Sequence, residues 1–230
     1  MQKSVLAGAG FLAALFVVPA FADDTIVDTP YEAPGFTWAG GYVGLQAGYL
    51  LGNSHWLDYL NNYADPEPDG FLGGVYAGYN YRLTTNLVLG IDADLTYANA
   101  GAFGLAHAPD GTIFGPGVGY TTELNWSGAV RGRFGYSADR FLPYIAGGLA
   151  FGDVNYSIIE GSTVTPFTDT MVGWTLGAGL EYAFTDKIIG RFEYRYTDFG
   201  SVESGSNGSV IGGKIDLKTN DIRLGIAYKF

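Results

Sequence analysis

Charged side chains recur at every second position in several stretches of this chain, with apolar residues between them. Asp92 and Asp94 alternate with Ile91, Ala93 and Leu95. Arg131 and Arg133 alternate with Val130, Gly132 and Phe134, and Arg191, Glu193 and Arg195 with Phe192, Tyr194 and Tyr196. Asp221 and Arg223 flank Ile222, and Arg82, Glu123, Glu181 and Lys229 fall on the same polar parity of their own stretches. Acids and bases are nearly matched, so the chemistry they offer is mutual ion pairing. Isolated charges in apolar surroundings are costly, whereas paired and hydrogen-bonded ones persist. Other reactive groups are few. The two histidines, His55 and His107, could hold haem or a metal with Tyr59 or Tyr63, but their number excludes a three-histidine zinc centre. His107 sits among Ala106, Ala108, Pro109 and Asp110 with no serine to activate, so no catalytic residue is assigned and an enzyme is not expected. Asp65, Glu67 and Asp69 offer oxygens to Ca²⁺ or Mg²⁺, which could bridge lipopolysaccharide phosphates, but lack EF-hand spacing and read as a solvated, proline-containing loop. Gly115 to Gly119 carries no following lysine and is no phosphate cradle. No metal site and no cofactor is expected.

A period of two means strands, which place alternate residues on opposite faces. Leu87 to Tyr97 is the clearest example; Glu123–Tyr136, Val172–Phe184, Arg191–Tyr196 and Asp221–Phe230 follow, and Tyr42–Tyr49, Gly74–Tyr81 and Leu142–Tyr156 complete a set of eight. Short connections (Leu83–Asn86, Ser137–Arg140, Thr185–Lys187) alternate with long ones (Asn53–Gly70, Asn99–Tyr120, Ser157–Asp169, Gly200–Lys218). That sorting predicts an all-β fold: an eight-stranded antiparallel up-and-down transmembrane barrel, with short turns and both termini on one side of the membrane. Lipid cannot satisfy a charge, so the charged parity faces the lumen. The expected lumen network comprises Asp92, Asp94, Glu123, Arg131, Arg133, Glu181, Arg191, Glu193, Arg195, Asp221 and Arg223, with Arg82 and Lys229 on the same face. Aromatics at strand ends, among them Trp38, Tyr49, Tyr97, Trp126, Tyr136, Trp174 and Tyr228, are expected to form girdles at the two interfaces.

Bulk composition agrees. The chain has 230 residues, 36 glycines, 16% aromatics and only 15% charged residues, and no cysteine for disulfides or thiolate metal sites. A formal net charge of −11, with scattered Lys and Arg, excludes nucleic acid as a partner. Residues 1–22 read as a secretory signal peptide: Lys3, an apolar run from Val5 to Val18, and a small-x-small site at Ala20-Phe21-Ala22. Residues 23–36, with Pro30 and Pro34, read as a periplasmic tail, leaving 37–230 for the barrel.

The segments TWAGGYVGLQAGY (37–49), NLVLGIDADLTY (86–97), GWTLGAGLEYAFTDK (173–187), RFEYRYTDFG (191–200) and IRLGIAYKF (222–230) resemble the OmpA-like small outer-membrane β-barrels. The nearest branch is a surface-antigen group of Gram-negative bacteria that includes barrels described as haemin-binding; the family's peptidoglycan-binding domain is not found up to Phe230. The resemblance implies insertion by the barrel-assembly machinery, which reads a terminal signal matched by Leu224, Ile226, Tyr228 and Phe230. It also implies outer-membrane lipid and lipopolysaccharide as surroundings and an external ligand or host surface as partner. The expected role is structural, supporting envelope integrity and surface interaction around a salt-bridged closed lumen. The alternatives are a narrow porin for small solutes or haem or ligand capture by the loops.

Overall fold

The computed structural model describes residues 36–58, 60–115, 118–204 and 213–230. The expected signal peptide and residues 23–35 of the tail lie outside the described residues. The elements are β1 (Gly40–Asp58), β2 (Tyr63–Ala64), β3 (Asp69–Arg82), β4 (Leu87–Leu105), β5 (Val118–Tyr136), β6 (Phe141–Glu160), β7 (Thr163–Ala183), β8 (Ile188–Ser204) and β9 (Gly213–Lys229). The eight long strands pair antiparallel in chain order, and β9 returns to β1 from Tyr42↔Lys229 to Asp58↔Gly213. Closing the ring removes every sheet edge, so strands can cross lipid with their backbone groups paired.

The alternation sorts as hydrogen-bond geometry requires. On β4, Ile91 is 66% exposed while its neighbour Asp92 is 3% exposed. Outward-facing apolar residues form a belt bounded by aromatic clusters. On one side Tyr49 meets Phe71, Tyr97 meets Trp126 and Trp174 meets Tyr196. On the other Phe141, Tyr182 and Phe184 contact in series, and Tyr228 meets Phe230. The stretch from Leu87 to Tyr97, at about 3.4 Å per residue and a tilt near 40°, spans about 26 Å, the height of an outer-membrane apolar band.

The strands run well beyond that belt, which corrects the expected loops. β6 and β7 stay paired as far as Glu160↔Thr163, so Ser157–Asp169 is a hairpin turning at Gly161, whose φ is +61°. The physical reason is an inversion of the apolar face. Within the belt β6 turns Ile145, Leu149 and Phe151 outward, because the outer face meets lipid. Above it the outer face meets water, and Val154, Tyr156 and Ile158 point inward, each buried. On β9 Ile222, Leu224 and Ile226 point out while Ile215 and Leu217 point in.

Two register steps assist the switch. On β5 the pairing shifts by one on either side of Asn125, between Tyr97 and Ala100 on β4 and between Leu124 and Trp126 against β6. On β8 it shifts between Asp198 and Ser201, at Gly200 with φ +72°. A one-residue step turns every later side chain to the opposite face.

The segment 63–69 is likewise not a solvated loop. Tyr63 exchanges backbone hydrogen bonds with His107 at 2.9 and 2.8 Å, and Ser54 and Gly52 donate to the carbonyls of Pro66 and Pro68. The prolines have no N–H to return, which interrupts the regular ladder. Pro66 and Pro68 face inward and Asp65, Glu67 and Asp69 outward, so the ring continues above the membrane.

Candidate functional site in the barrel interior

β4, β5, β7, β8 and β9 bring ten charged side chains together inside the barrel. Arg131 from β5 grips two carboxylates: its Nε and Nη2 donate to Asp92 at 2.9 and 3.0 Å, and Nη1 and Nη2 to Glu193 at 2.8 and 3.0 Å. Glu193 also accepts from Arg195 at 2.9 Å, Arg195 reaches Asp94 at 2.9 Å, Asp94 accepts from Arg223 at 3.3 Å, and Arg223 pairs with Asp221. On the other side Asp92 accepts from Arg191 at 3.4 Å, Arg191 donates to Glu181 at 2.7 Å, and Glu181 accepts from Arg133 at 2.8 Å. The result is one unbroken alternating chain: Asp221, Arg223, Asp94, Arg195, Glu193, Arg131, Asp92, Arg191, Glu181, Arg133. Carboxylates and guanidiniums balance, and every member is buried.

The strands with few charges supply polar partners and room. The Tyr42 hydroxyl accepts from Arg133 at 2.8 Å, and the Tyr144 hydroxyl donates to Glu193 at 2.6 Å. Arg133 lies 4.1 Å over the Tyr144 ring, and Arg191 4.0 Å over that of Tyr76, close cation–π contacts in a desolvated site. Those rings lie flat because Gly179 and Gly44 face them; a Cβ at either would sit 2.6 Å from the ring.

Apolar layers close the charged layer from both ends. On the periplasmic side Trp38, Val88, Leu142, Ala183, Ile189 and Ala227 pack together around the Tyr42 and Tyr76 rings. Trp38, expected in an interfacial girdle, is instead 2% exposed, and its indole N–H donates to the Asp139 carbonyl at 3.0 Å. The chain entering β1 thus crosses the mouth and is tied to the β5–β6 turn. On the outer side Leu50, Trp56, Leu124, Val154, Tyr156, Ile158, Phe199, Ile215 and Leu217 belong to one buried cluster. Hydroxyl and amide pairs lie near the boundary: Gln46 with Thr96 at 3.1 Å, and Thr197 with Thr175 at 3.1 Å. The void between the charged and outer apolar layers, lined by Leu50, Leu124, Arg195 and Asp221, measures 10 Å³, about the space of one water.

Glu123 is a correction. It was expected in the lumen network but is exposed on the outer wall, and Leu124 takes the interior place with 0% exposure. The register step at Asn125 is the cause, since the parity read from Arg131 and Arg133 does not continue past it. Arg82 keeps its strand's parity but emerges exposed below the barrel, beyond the buried Asn80. Lys229 is buried near the same end, outside the ion-pair chain. The other expected network residues all join it. Sequence reasoning gave Trp38 to a girdle, placed Tyr42 and Tyr76 on the inward parity of their strands without a role, and assigned Tyr144 none.

The haem candidates do not form one site. His55 lies on the outer wall with Nδ1 2.6 Å from Asp65, whereas His107 stacks on Tyr63 with centroids 5.0 Å apart. Tyr59 lies outside the described residues. Asp69 is bonded by the Tyr49 hydroxyl, and among the described residues no three acidic or histidine side chains converge as metal ligands. Leu224, Ile226, Tyr228 and Phe230 all face outward along the last strand, 41–75% exposed.

A closed antiparallel ring with an apolar belt between aromatic girdles and a charged, filled interior defines a transmembrane β-barrel of the outer-membrane type. The chain belongs to the outer membrane protein β-barrel domain family, whose model matches residues 9–230. It is 34% identical over 256 residues to the 31 kDa outer-membrane immunogenic protein of Brucella melitensis biotype 1, covering 100% of both chains. It is 33% identical over 197 residues to the 22 kDa outer membrane protein of Rhizobium leguminosarum bv. viciae, covering 86% of this chain and 80% of that one. Among solved structures, the outer membrane protease OmpT from Escherichia coli superimposes with a TM-score of 0.56 at 10% identity, covering 86% of this chain and 99% of that one, a likeness of fold alone. The protein is therefore an outer-membrane protein of a Gram-negative bacterium.

Proposed function

We propose that this barrel is a structural, non-catalytic component of the outer membrane that supports envelope integrity and presents its outer extension to the surroundings. The observation that carries this reading is the neutral ion-pair chain enclosed between two apolar layers, which leaves no charged or wet path for a solute. Relatives named outer-membrane immunogenic proteins support surface display. The protease among the structural neighbours is like this chain in fold only, and none of its chemistry carries over.

The partners follow from the surfaces. The apolar belt meets outer-membrane lipid. Lys214 and Lys218, on the outer wall of β9 beside Asp216 and Asp198, are the basic groups that lipopolysaccharide phosphates would meet there. Leu224, Ile226, Tyr228 and Phe230 form the outward stripe for the assembly machinery. The extended outer rim is the surface for an external ligand or host surface.

In its host, loss of the chain is expected to increase leakage of a periplasmic enzyme and sensitivity to detergent, and restoring the full chain to reverse both. Unchanged leakage combined with slower uptake of small solutes would replace the structural reading with transport.

A further inference from the structure

Above the outer apolar layer the barrel wall lines a recess of 190 Å³. Its floor is aromatic: Trp56 and Tyr120 stack with centroids 4.5 Å apart, and Ile158 lines the same space. Trp56 also meets Tyr156 edge-on at 5.3 Å, which ties this floor to the buried cluster beneath it. Two carboxylates line it. Asp58 ends β1, fixed by the backbone N–H groups of Leu60 and Asn62 at 2.8 and 2.7 Å and by the Asn62 side-chain amide at 2.7 Å. Glu160 ends β6, exposed, with no ion-pair partner among the described residues. No lysine, arginine or histidine is among the described residues that line the recess.

Tyr120 adds a hydroxyl to this aromatic floor. Its ring is largely buried and lines the recess. Burial and the Asp58 and Glu160 carboxylates push this hydroxyl up to about 12, so it stays a neutral donor and acceptor. Facing the recess, it can exchange hydrogen bonds with a polar group that enters.

We propose that this recess binds a small organic ammonium ion, its apolar part against Trp56 and Tyr120 and its charge held by Asp58 and Glu160. Aromatic faces attract cations, most strongly where water is excluded. Two carboxylates without a basic neighbour among the described residues reject anions of the same size, and the dimensions suit a short alkyl- or arylammonium rather than a polymer. This site is separate from the ion-pair chain and does not depend on the structural reading of the lumen.

The test is a titration of benzyltrimethylammonium chloride into the full chain, labelled with ¹⁵N-tryptophan and refolded in dodecyl maltoside, a micelle with no competing ammonium headgroup. The expected result is a saturable shift of the Trp56 indole signal with a Kd in the millimolar range or tighter, the signals of Trp38, Trp126 and Trp174 staying fixed. Glu160→Gln is expected to weaken binding about threefold to fivefold, the weight of an exposed charge pair. Should that variant fold poorly, raising NaCl from about 50 to about 500 mM on the wild type is expected to weaken binding as well. Benzyl alcohol and phenylacetate are expected to give no saturable shift. Equal binding of benzyl alcohol, an affinity indifferent to both Glu160 and salt, or no saturable shift at all would overturn the proposal.

Discussion

Replacing Arg131 with Met is expected to destabilise the barrel by about 3–5 kcal/mol, the cost of leaving buried charges without their partner. Among the described residues Arg131 alone holds two carboxylates bidentately, and it is 1% exposed. Without it Asp92 keeps only the longer contact with Arg191, and Glu193 keeps Arg195 and the Tyr144 hydroxyl. Both acids then sit in a layer closed from water on either side. The double variant Asp92→Asn, Arg131→Met removes one charge of each sign and keeps the layer neutral, with Arg191 still on Glu181 and Glu193 still on Arg195, and it is expected to recover most of the loss, because a buried ion pair exchanged for neutral groups is often close to neutral in stability. Urea unfolding of the refolded protein in lipid vesicles, followed by tryptophan fluorescence and by heat-dependent gel mobility, measures both. A double variant as unstable as the single one would show that shape, rather than charge pairing, governs the layer.

Leu124 and Glu123 give the second large contrast. Leu124→Ala is expected to cost about 2–5 kcal/mol, since it opens a cavity in the outer apolar layer. Glu123→Gln, one residue away, is expected to change stability by less than about 0.5 kcal/mol because the side chain is exposed. The same unfolding assay decides it. The opposite ranking would mean that the register does not step at Asn125 and that Glu123 enters the lumen.

These two residues also mark where reading the sequence stops succeeding. Within the membrane the outward face must be apolar and the inward face must carry every charge, so Ile91 against Asp92, or Tyr194 against Glu193, reveals the strand and its orientation at once. Ten of the eleven residues expected in the lumen network meet in one ion-pair chain for that reason. Above the membrane water replaces lipid, the rule inverts, and Val154, Tyr156 and Ile158 turn inward. A search for outward apolar residues reads such segments as loops. Pro66 and Pro68 deepen the error, because proline suggests a turn while their rings here face the interior of an extended segment. Trp38 escaped for a different reason: girdle and plug both call for a large aromatic near a strand end. Only its indole bond to Asp139, 101 residues away in sequence, separates the two.

The relation between the layers explains why the balance of charge matters. A net charge in the middle layer would draw water and ions into the barrel, whereas a chain of alternating signs satisfies itself. The apolar layers then exclude the water that would weaken each pair. Gly44 and Gly179, by letting Tyr76 and Tyr144 lie against the strands, place aromatic faces under the two arginines nearest the periplasmic side.

The most direct measurement of the closed interior is single-channel recording of the refolded wild type in a planar bilayer, with folding confirmed by heat-dependent gel mobility. The account predicts a silent bilayer, because the charged layer is neutral and sealed from both ends. Steady ohmic steps from folded protein would contradict it and would make the barrel a narrow pore.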